Sequence, residues 1–161
     1  MNTAGRPPLL KRTTIIVRSI ERSRAFYRDV LGFKIWYDRD FEFGGGGFPG
    51  TSKGDLCRLV IAEARDPLIG KIGLIQYLSP PAPEVAVDLS FLGVGRLVFV
   101  GEIDDVAALH RKLLAAGAVI ATPPHRFDVI GADDQPKFMQ RVCFFDPDGN
   151  FFEFSEPAQP A

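Results

Sequence analysis

The chain has 161 residues, enough for one compact domain or for two half-domains that share a core. Hydrophobic residues make up 46% of it and charged residues 24%, a balance that excludes an intrinsically disordered chain. With 19 Lys plus Arg against 20 Asp plus Glu, the net charge of −1 provides no global field for a nucleic acid or an anionic membrane, so neither is expected as a partner.

The first half of the chain has the pattern of a βαβββ unit. Thr13–Arg18 is a β-branched run that predicts a strand, and Ser19 offers an N-cap oxygen to a helix over Ile20–Leu31. Gly32 ends that helix, since glycine tolerates the left-handed backbone of a C-cap. Apolar and β-branched runs predict three further strands, at about Phe33–Tyr37, Asp55–Ala64 and Lys71–Leu78.

The second half repeats the same order of elements. Arg96–Val100 predicts a strand, and Asp104 is the expected N-cap of a helix that runs to about Ala116 and ends at Gly117. Further strands are predicted at Ala118–Ile120, Gln140–Phe145 and Asn150–Ser155. Corresponding positions of the two halves lie 83 to 85 residues apart, and one fixed offset indicates a duplicated unit.

The expected organisation is therefore two modules with short flanking segments. Residues 1–11 form an N-terminal extension, 12–78 the first module, 79–95 a linker, 96–156 the second module and 157–161 a tail. No apolar run is long enough for a membrane span or a signal-peptide core. Cys57 and Cys143 each lie in an apolar run without a disulfide framework, which favours reduced core thiols and a cytoplasmic location.

Four consecutive glycines, Gly44–Gly47, stand in a long connection between strands. No helix follows them and Pro49 interrupts the segment, so a nucleotide-binding loop is rejected. The sequence leaves two interpretations open: a surface excursion, or a lid over a pocket that ligand would order.

Each of four apolar strands carries one polar residue near its start or middle: Arg12, Gln76, Arg96 and Glu153. Burying such a group without a partner is costly, so we expect these residues to share neighbours or water. Because successive side chains of a strand point to opposite faces, Arg12 and Ile15 are expected on opposite faces of one sheet, and Glu153 and Phe152 on opposite faces of the other. One face of each sheet is thus expected to pack on a helix while the other lines a cavity.

Two segments resemble the vicinal oxygen chelate superfamily, which includes glyoxalase I, extradiol dioxygenases, methylmalonyl-CoA epimerase and the bleomycin-resistance proteins. The first helix and its end, Ile20–Phe33, is similar to that superfamily's first helix, and Phe145–Phe154 is similar to its last hairpin. The resemblance covers about Arg12 to Glu156 and implies an α+β fold in which two βαβββ modules form an eight-stranded open cup around one pocket.

In metal-dependent members of this superfamily, ligands come from the first and last strands of each module, and the resemblance places them at Arg12, Gln76, Arg96 and Glu153. The guanidinium of arginine stays protonated and offers no lone pair to a metal. Gln76 and Glu153 alone supply two ligands where a catalytic site normally has about three. No divalent metal is therefore expected; if one binds, it lies near Gln76 and Glu153, with an unrecognised ligand such as His125.

The function expected from these residues is binding of a small anionic or enolisable, partly apolar compound. Arg12 and Arg96 would clamp the anion with Gln76, and Phe151 would stack on the apolar part. Glu153 is the candidate general base if the protein is an enzyme, then a lyase or isomerase and less readily a dioxygenase. Two alternatives stay open: a buried Arg96 and Glu153 ion pair that fills the cup, and a metal-dependent enzyme of the same superfamily. A homodimer is also considered.

Overall fold

The computed structural model describes residues 8–45 and 47–158. It divides into two compact units, one made of residues up to Arg28 with Gly32–Pro83, the other of Asp29–Leu31 with the chain from Glu84 onward. Each unit holds one four-stranded sheet built from a βαβββ sequence of elements. The predicted α+β class and the duplicated module are confirmed.

The first module has one helical segment and four strands, namely β1 (Thr13–Ile16), α1 (Ile20–Ala25), a π-helical turn (Phe26–Val30), β2 (Lys34–Glu42), β3 (Leu56–Glu63) and β4 (Ile72–Ser79). The order in its sheet is β1-β4-β3-β2. β1 pairs with β4 in parallel, and the remaining pairs are antiparallel. Ser19 is the N-cap of α1, as predicted, and its side chain accepts a hydrogen bond from the Arg22 backbone N–H.

The predicted single helix over Ile20–Leu31 changes from α to π geometry at Phe26. Phe26 and Tyr27 are neighbours in sequence, yet both are buried, at 7% and 0% exposure. Neighbouring residues point about 100° apart around an α-helix. Because both are buried, the buried side of this helix is wider than the single apolar stripe of an ordinary amphipathic helix. The amphipathic pattern located the helix but did not predict its change of pitch.

The second module repeats this plan with β5 (Val98–Glu102), α2 (Val106–Ala115), β6 (Val119–Ile130), β7 (Pro136–Phe145) and β8 (Phe151–Pro157). The order in its sheet is β5-β8-β7-β6, again with one parallel pair, β5 with β8. Matching strand orders in the two sheets agree with the duplication predicted from the sequence offset.

Several boundaries in the second module differ from the sequence-based expectation. Arg96 precedes β5, and the N-cap of α2 is Asp105 where Asp104 was predicted, since Asp105 accepts the Ala108 N–H through its side chain at 2.7 Å. β6 continues to Ile130, far beyond the predicted end at Ile120, because the β6 and β7 ladder resumes after register shifts around Pro123 and Pro124. Proline has no N–H to give a ladder, which made this segment look like a loop.

Each sheet buries one face against its own helix. In the second module α2 packs on β6, β7 and β8, and the buried residues on both sides are Val106, Leu109, Leu113, Val142, Phe144, Phe152 and Phe154. The rings of Phe144 and Phe152 stack with centroids 5.4 Å apart. We call the side of each sheet that lies opposite its helix the open face.

Cys57 and Cys143 are free and buried, as predicted. Burial raises the pKa of the Cys143 thiol above its ordinary value, so the thiol stays protonated near neutral pH. Within the described residues, no helix is both long and apolar enough to cross a bilayer.

Candidate functional site

The strongest polar cluster of the second module lies on the open face of its sheet. Strand register places Cys143 opposite Glu153 and His125 opposite Arg141. Because residues directly opposite each other point to the same side, and residues two apart along a strand do too, these four side chains share one face. Phe152 and Phe154 alternate with Glu153 and turn towards α2, as the sequence pattern predicted.

Arg141 is the centre of this cluster. Its Nη1 lies 3.1 Å from Oε2 of Glu153, and its Nε donates to Nε2 of His125, also at 3.1 Å. The guanidinium carbon is 4.3 Å from the ring centroid of Phe127, a cation–π contact. The Arg141 and Glu153 side chains are 31% and 24% exposed, so the pair is accessible from solvent but partly desolvated.

Two polar atoms of the pair remain available. Among the described residues, neither Nη2 of Arg141 nor Oε1 of Glu153 has a hydrogen-bond partner. Half-buried Phe151 is the next residue before Glu153 on the same face of β8, and the neighbouring Val98 and Val100 of β5 are 49% and 73% exposed. A cationic edge, a carboxylate oxygen and an apolar rim can bind a small molecule that has an anionic group and an apolar part.

Arg96 makes a structural contact that the sequence did not predict. Its Nη2 donates to the backbone oxygen of Gly149, in the turn that leads into β8. Asp146 holds the same turn, since its carboxylate accepts from the backbone N–H groups of Asp148 and Asn150 and from the Asn150 amide. Arg96 and Asp146 thus fix the start of the strand that carries Phe151 and Glu153.

Register separates Arg96 from Glu153. The partner of Glu153 on β5 is Val100, four residues beyond Arg96, or about 13 Å along the strand. The alternative of a buried ion pair between Arg96 and Glu153 is not what the structure shows, because Glu153 pairs with Arg141 and Arg96 binds Gly149. The carboxylate does have a guanidinium partner, but from the neighbouring antiparallel strand β7.

The side chain of Gln76 contacts the start of the first helix. Its Oε1 accepts a hydrogen bond of 2.7 Å from the backbone N–H of Ile20, the first residue of α1. That contact places the side chain on the helix side of the first sheet, where it satisfies an N–H that the helix itself leaves unpaired. Gln76 therefore lies on the helix side of its sheet, and its expected part in ligand binding stays a prediction.

Arg12 lies just before β1 and is exposed. Its Nε donates to Oγ1 of Thr14 at 3.1 Å, and alternation puts both on the open face of the first sheet. In the parallel β1 and β4 pair the register runs from Thr13 opposite Ile72 to Ile16 opposite Ile75, so Arg12 and Gln76 stand near opposite ends of the ladder.

The first module also carries an aromatic cluster that the sequence did not indicate. The Phe43 ring lies 5.1 Å from Phe41, 5.5 Å from Phe48 and 5.9 Å from Tyr77 between centroids. Burial raises the pKa of Tyr77. Phe48 follows the glycine tract Gly44–Gly47 and packs against Phe43. Gly46 of that tract lies outside the described residues.

The donor set does not fit the divalent metal that the family resemblance implies for metal-dependent members. Arg12 and Arg96 cannot be ligands, Gln76 caps a helix, and Glu153 is engaged with Arg141. In the described part of the chain, no three His, Cys, Asp or Glu side chains lie close enough to share a metal ion. His125 also has its Nε2 lone pair occupied, since it accepts from Arg141.

Arg141 was missed by the sequence analysis although its signal was present. It stands in the predicted strand Gln140–Phe145, where it alternates with buried Val142 and Phe144. An arginine next to a core valine in an apolar strand is the same anomaly that identified Glu153. The pairing of β7 with both β6 and β8, which brings Arg141 to His125 and Glu153, could not be read from the sequence.

The chain is similar to a known protein family and to several solved structures. The profile of the glyoxalase/bleomycin resistance protein/dioxygenase superfamily matches residues 9–154. No curated protein matches the sequence. The fold is similar to a glyoxalase family protein from Bacillus cereus, with a TM-score of 0.74 and 14% identity over 99% of this chain and 100% of that one.

Two further solved structures are similar in fold. The trypanothione-dependent glyoxalase I of Leishmania major has a TM-score of 0.54 and 18% identity, over 92% of this chain and 86% of that one. TioX from Micromonospora sp. ML1 has a TM-score of 0.54 and 14% identity, over 94% and 100% of the two chains. At these identities the likeness establishes the fold and not the reaction. Since the family profile spans nearly the whole chain and the two βαβββ modules are present, this chain belongs to the glyoxalase/bleomycin resistance protein/dioxygenase superfamily and has the vicinal oxygen chelate fold.

Proposed function

We propose that the protein binds a small, partly apolar anion on the open face of its second sheet, without a metal ion. The observation that carries the proposal is the Arg141 and Glu153 pair, which leaves Nη2 and Oε1 available on the face that Phe151 shares. A guanidinium edge binds a carboxylate or enolate oxygen through charge-assisted hydrogen bonds. The exposed Val98 and Val100 suit the apolar part of such a molecule.

Glu153 is the proposed proton acceptor if binding leads to chemistry. Its Oε2 is hydrogen-bonded to Arg141, which fixes the position of the carboxylate, and its Oε1 has no partner among the described residues. A carbon acid bound with its oxygen at Arg141 would place an acidic C–H near this oxygen, as a lyase or isomerase step requires. The developing enolate would then be stabilised by the guanidinium.

Arg12 and Arg96 remain proposed as further anion-binding groups of their own modules. Strand alternation, extended back from β1 and β5, would put both on the open face of their sheets, and each has one nitrogen engaged, with Thr14 Oγ1 and with the Gly149 oxygen. A cytoplasmic location and a homodimer are likewise proposals. The two free buried thiols support the first. The exposed edge strand β5 supports the second.

The test compares a carboxylate with its neutral amide. Phenylacetate and phenylacetamide share an aromatic ring and differ in charge, and calorimetric titration measures both. We expect Arg141→Met to weaken phenylacetate about 10- to 100-fold, the scale of one charge-assisted hydrogen bond, and to change phenylacetamide less than about twofold. Thermal unfolding shows whether the variant stays folded.

Arg126→Met is the matched control, because Arg126 is the exposed neighbour of His125 on β6 and points to the other face. It should leave both affinities unchanged. Arg141→Met also leaves Glu153 without its partner, so the titration is repeated with Glu153→Gln as background. Equal losses for acid and amide in both backgrounds would contradict anion binding at Arg141.

A further inference from the structure

We propose that His125 is a positioning residue, whose Nε2 lone pair holds the Arg141 guanidinium in the orientation that meets an anionic ligand. The inference rests on the proposed function, since it concerns the same site. His125 does not need to touch the ligand. It acts through Arg141, from the edge strand β6.

The chemistry of the contact fixes the state of the imidazole. Nε of an arginine always carries its hydrogen, so at 3.1 Å it donates and Nε2 of His125 must accept. The proton of the neutral ring then sits on Nδ1, which lies 3.2 Å from the backbone oxygen of Pro123 and donates to it. The ring is thus oriented by its own strand at a point where two prolines restrict the backbone.

Together the contacts hold the guanidinium at three points. Glu153 binds Nη1, His125 binds Nε, and Phe127 supports the flat face of the group. The guanidinium is planar, so two fixed nitrogens determine the direction of Nη2. Without His125 the guanidinium can rotate about its hydrogen bond to Glu153, so the direction in which Nη2 points is no longer fixed.

Two variants separate positioning from a general structural effect. His125→Gln can place its amide oxygen where Nε2 was, whereas His125→Leu fills the space without an acceptor. With phenylacetate as the probe, we expect His125→Leu to weaken binding roughly fivefold and His125→Gln to stay within about twofold of the unmodified protein. Phenylacetamide affinity should stay unchanged in both. His110→Leu, on helix α2, is the control for losing an imidazole.

A second measurement does not depend on any variant. In ¹⁵N-labelled protein at neutral pH, Nε2 of His125 should have the chemical shift of an unprotonated nitrogen and Nδ1 that of a protonated one. The reverse tautomer would overturn the inference, as would a His125→Leu variant that binds phenylacetate normally or a His125→Gln variant that is no better than it. In those cases the proposed function is still judged separately by the Arg141→Met titration, because that experiment does not depend on the role of His125.

Discussion

Replacing Asp146 with alanine is expected to lower the free energy of unfolding by about 3 kcal/mol. The side chain is 5% exposed, and its carboxylate accepts the N–H groups of Asp148 and Asn150 at 2.9 and 2.8 Å. Alanine would remove the carboxylate that accepts both N–H groups in a part-buried turn. Chemical denaturation of the two proteins measures the difference directly.

Asp133→Ala is the matched control, since Asp133 also belongs to a turn but its side chain is 58% exposed. Its loss should change the free energy of unfolding by less than about 0.5 kcal/mol. The same turn precedes Phe151 and Glu153, so Asp146→Ala should also weaken phenylacetate binding in molecules that remain folded. A loss of stability no larger than that of Asp133→Ala would show that the turn does not depend on this carboxylate.

Asp38→Asn should lower the free energy of unfolding by about 2 kcal/mol at pH 7, the second large effect. Asp38 binds Arg58 through both oxygens, at 2.8 and 3.2 Å, and lies 3.3 Å from Nε of Arg24 on α1. That Nε is buried and makes no hydrogen bond to the described residues, so its contact with Asp38 is an ion pair. The network joins helix to sheet, and at 20% exposure of Asp38 it is only partly screened by solvent.

This effect depends on pH with a defined sign. The hydrogen bond from Arg58 lowers the pKa of Asp38 below its ordinary value, and the charges of Arg58 and Arg24 act in the same direction. The stabilisation is therefore complete above the ordinary aspartate pKa of about 3.9 and is lost as the pH falls through the lower folded value. The difference between the two proteins should shrink over that acid interval.

Asp40→Asn serves as the control for Asp38→Asn, because Asp40 is next on the same face of β2, 3.8 Å from Arg58 and 60% exposed. Its effect should be below about 0.5 kcal/mol. If Asp38→Asn and Asp40→Asn behave alike, or the Asp38 difference persists in acid, the carboxylate and guanidinium network does not carry the stability assigned to it.

The fold was predictable because each module repeats local signals. The Ser19 cap, the strand alternation around Phe152 and the fixed offset between the halves all depend on short-range patterns. The longer course of β6 was not predictable, since its strand pairing crosses a Pro-Pro step that reads as a loop. The π-helical turn at Phe26 depends on tertiary burial of two adjacent aromatics.

The site was predictable only in part, for a physical reason. Alternation along one strand identified Glu153 and its face, but the partner of a side chain depends on which strand lies beside it and in what register. The strand register brings Glu153 next to Arg141 and not to Arg96. The side chain of Gln76 lies on the side of its sheet that faces α1. His125 became relevant for the same reason, through its position opposite Arg141.

One measurement tests the central proposal most directly: mapping phenylacetate binding by amide chemical shifts in protein treated with a chelator, before and after a divalent metal is added. We expect shifts at Arg141, Phe151 and Glu153, with an affinity that metal does not change. Binding that disappears after chelation and returns with metal would contradict the account and favour a metal-dependent lyase, isomerase or dioxygenase. Shifts confined to residues away from the open face of the second sheet would contradict it equally.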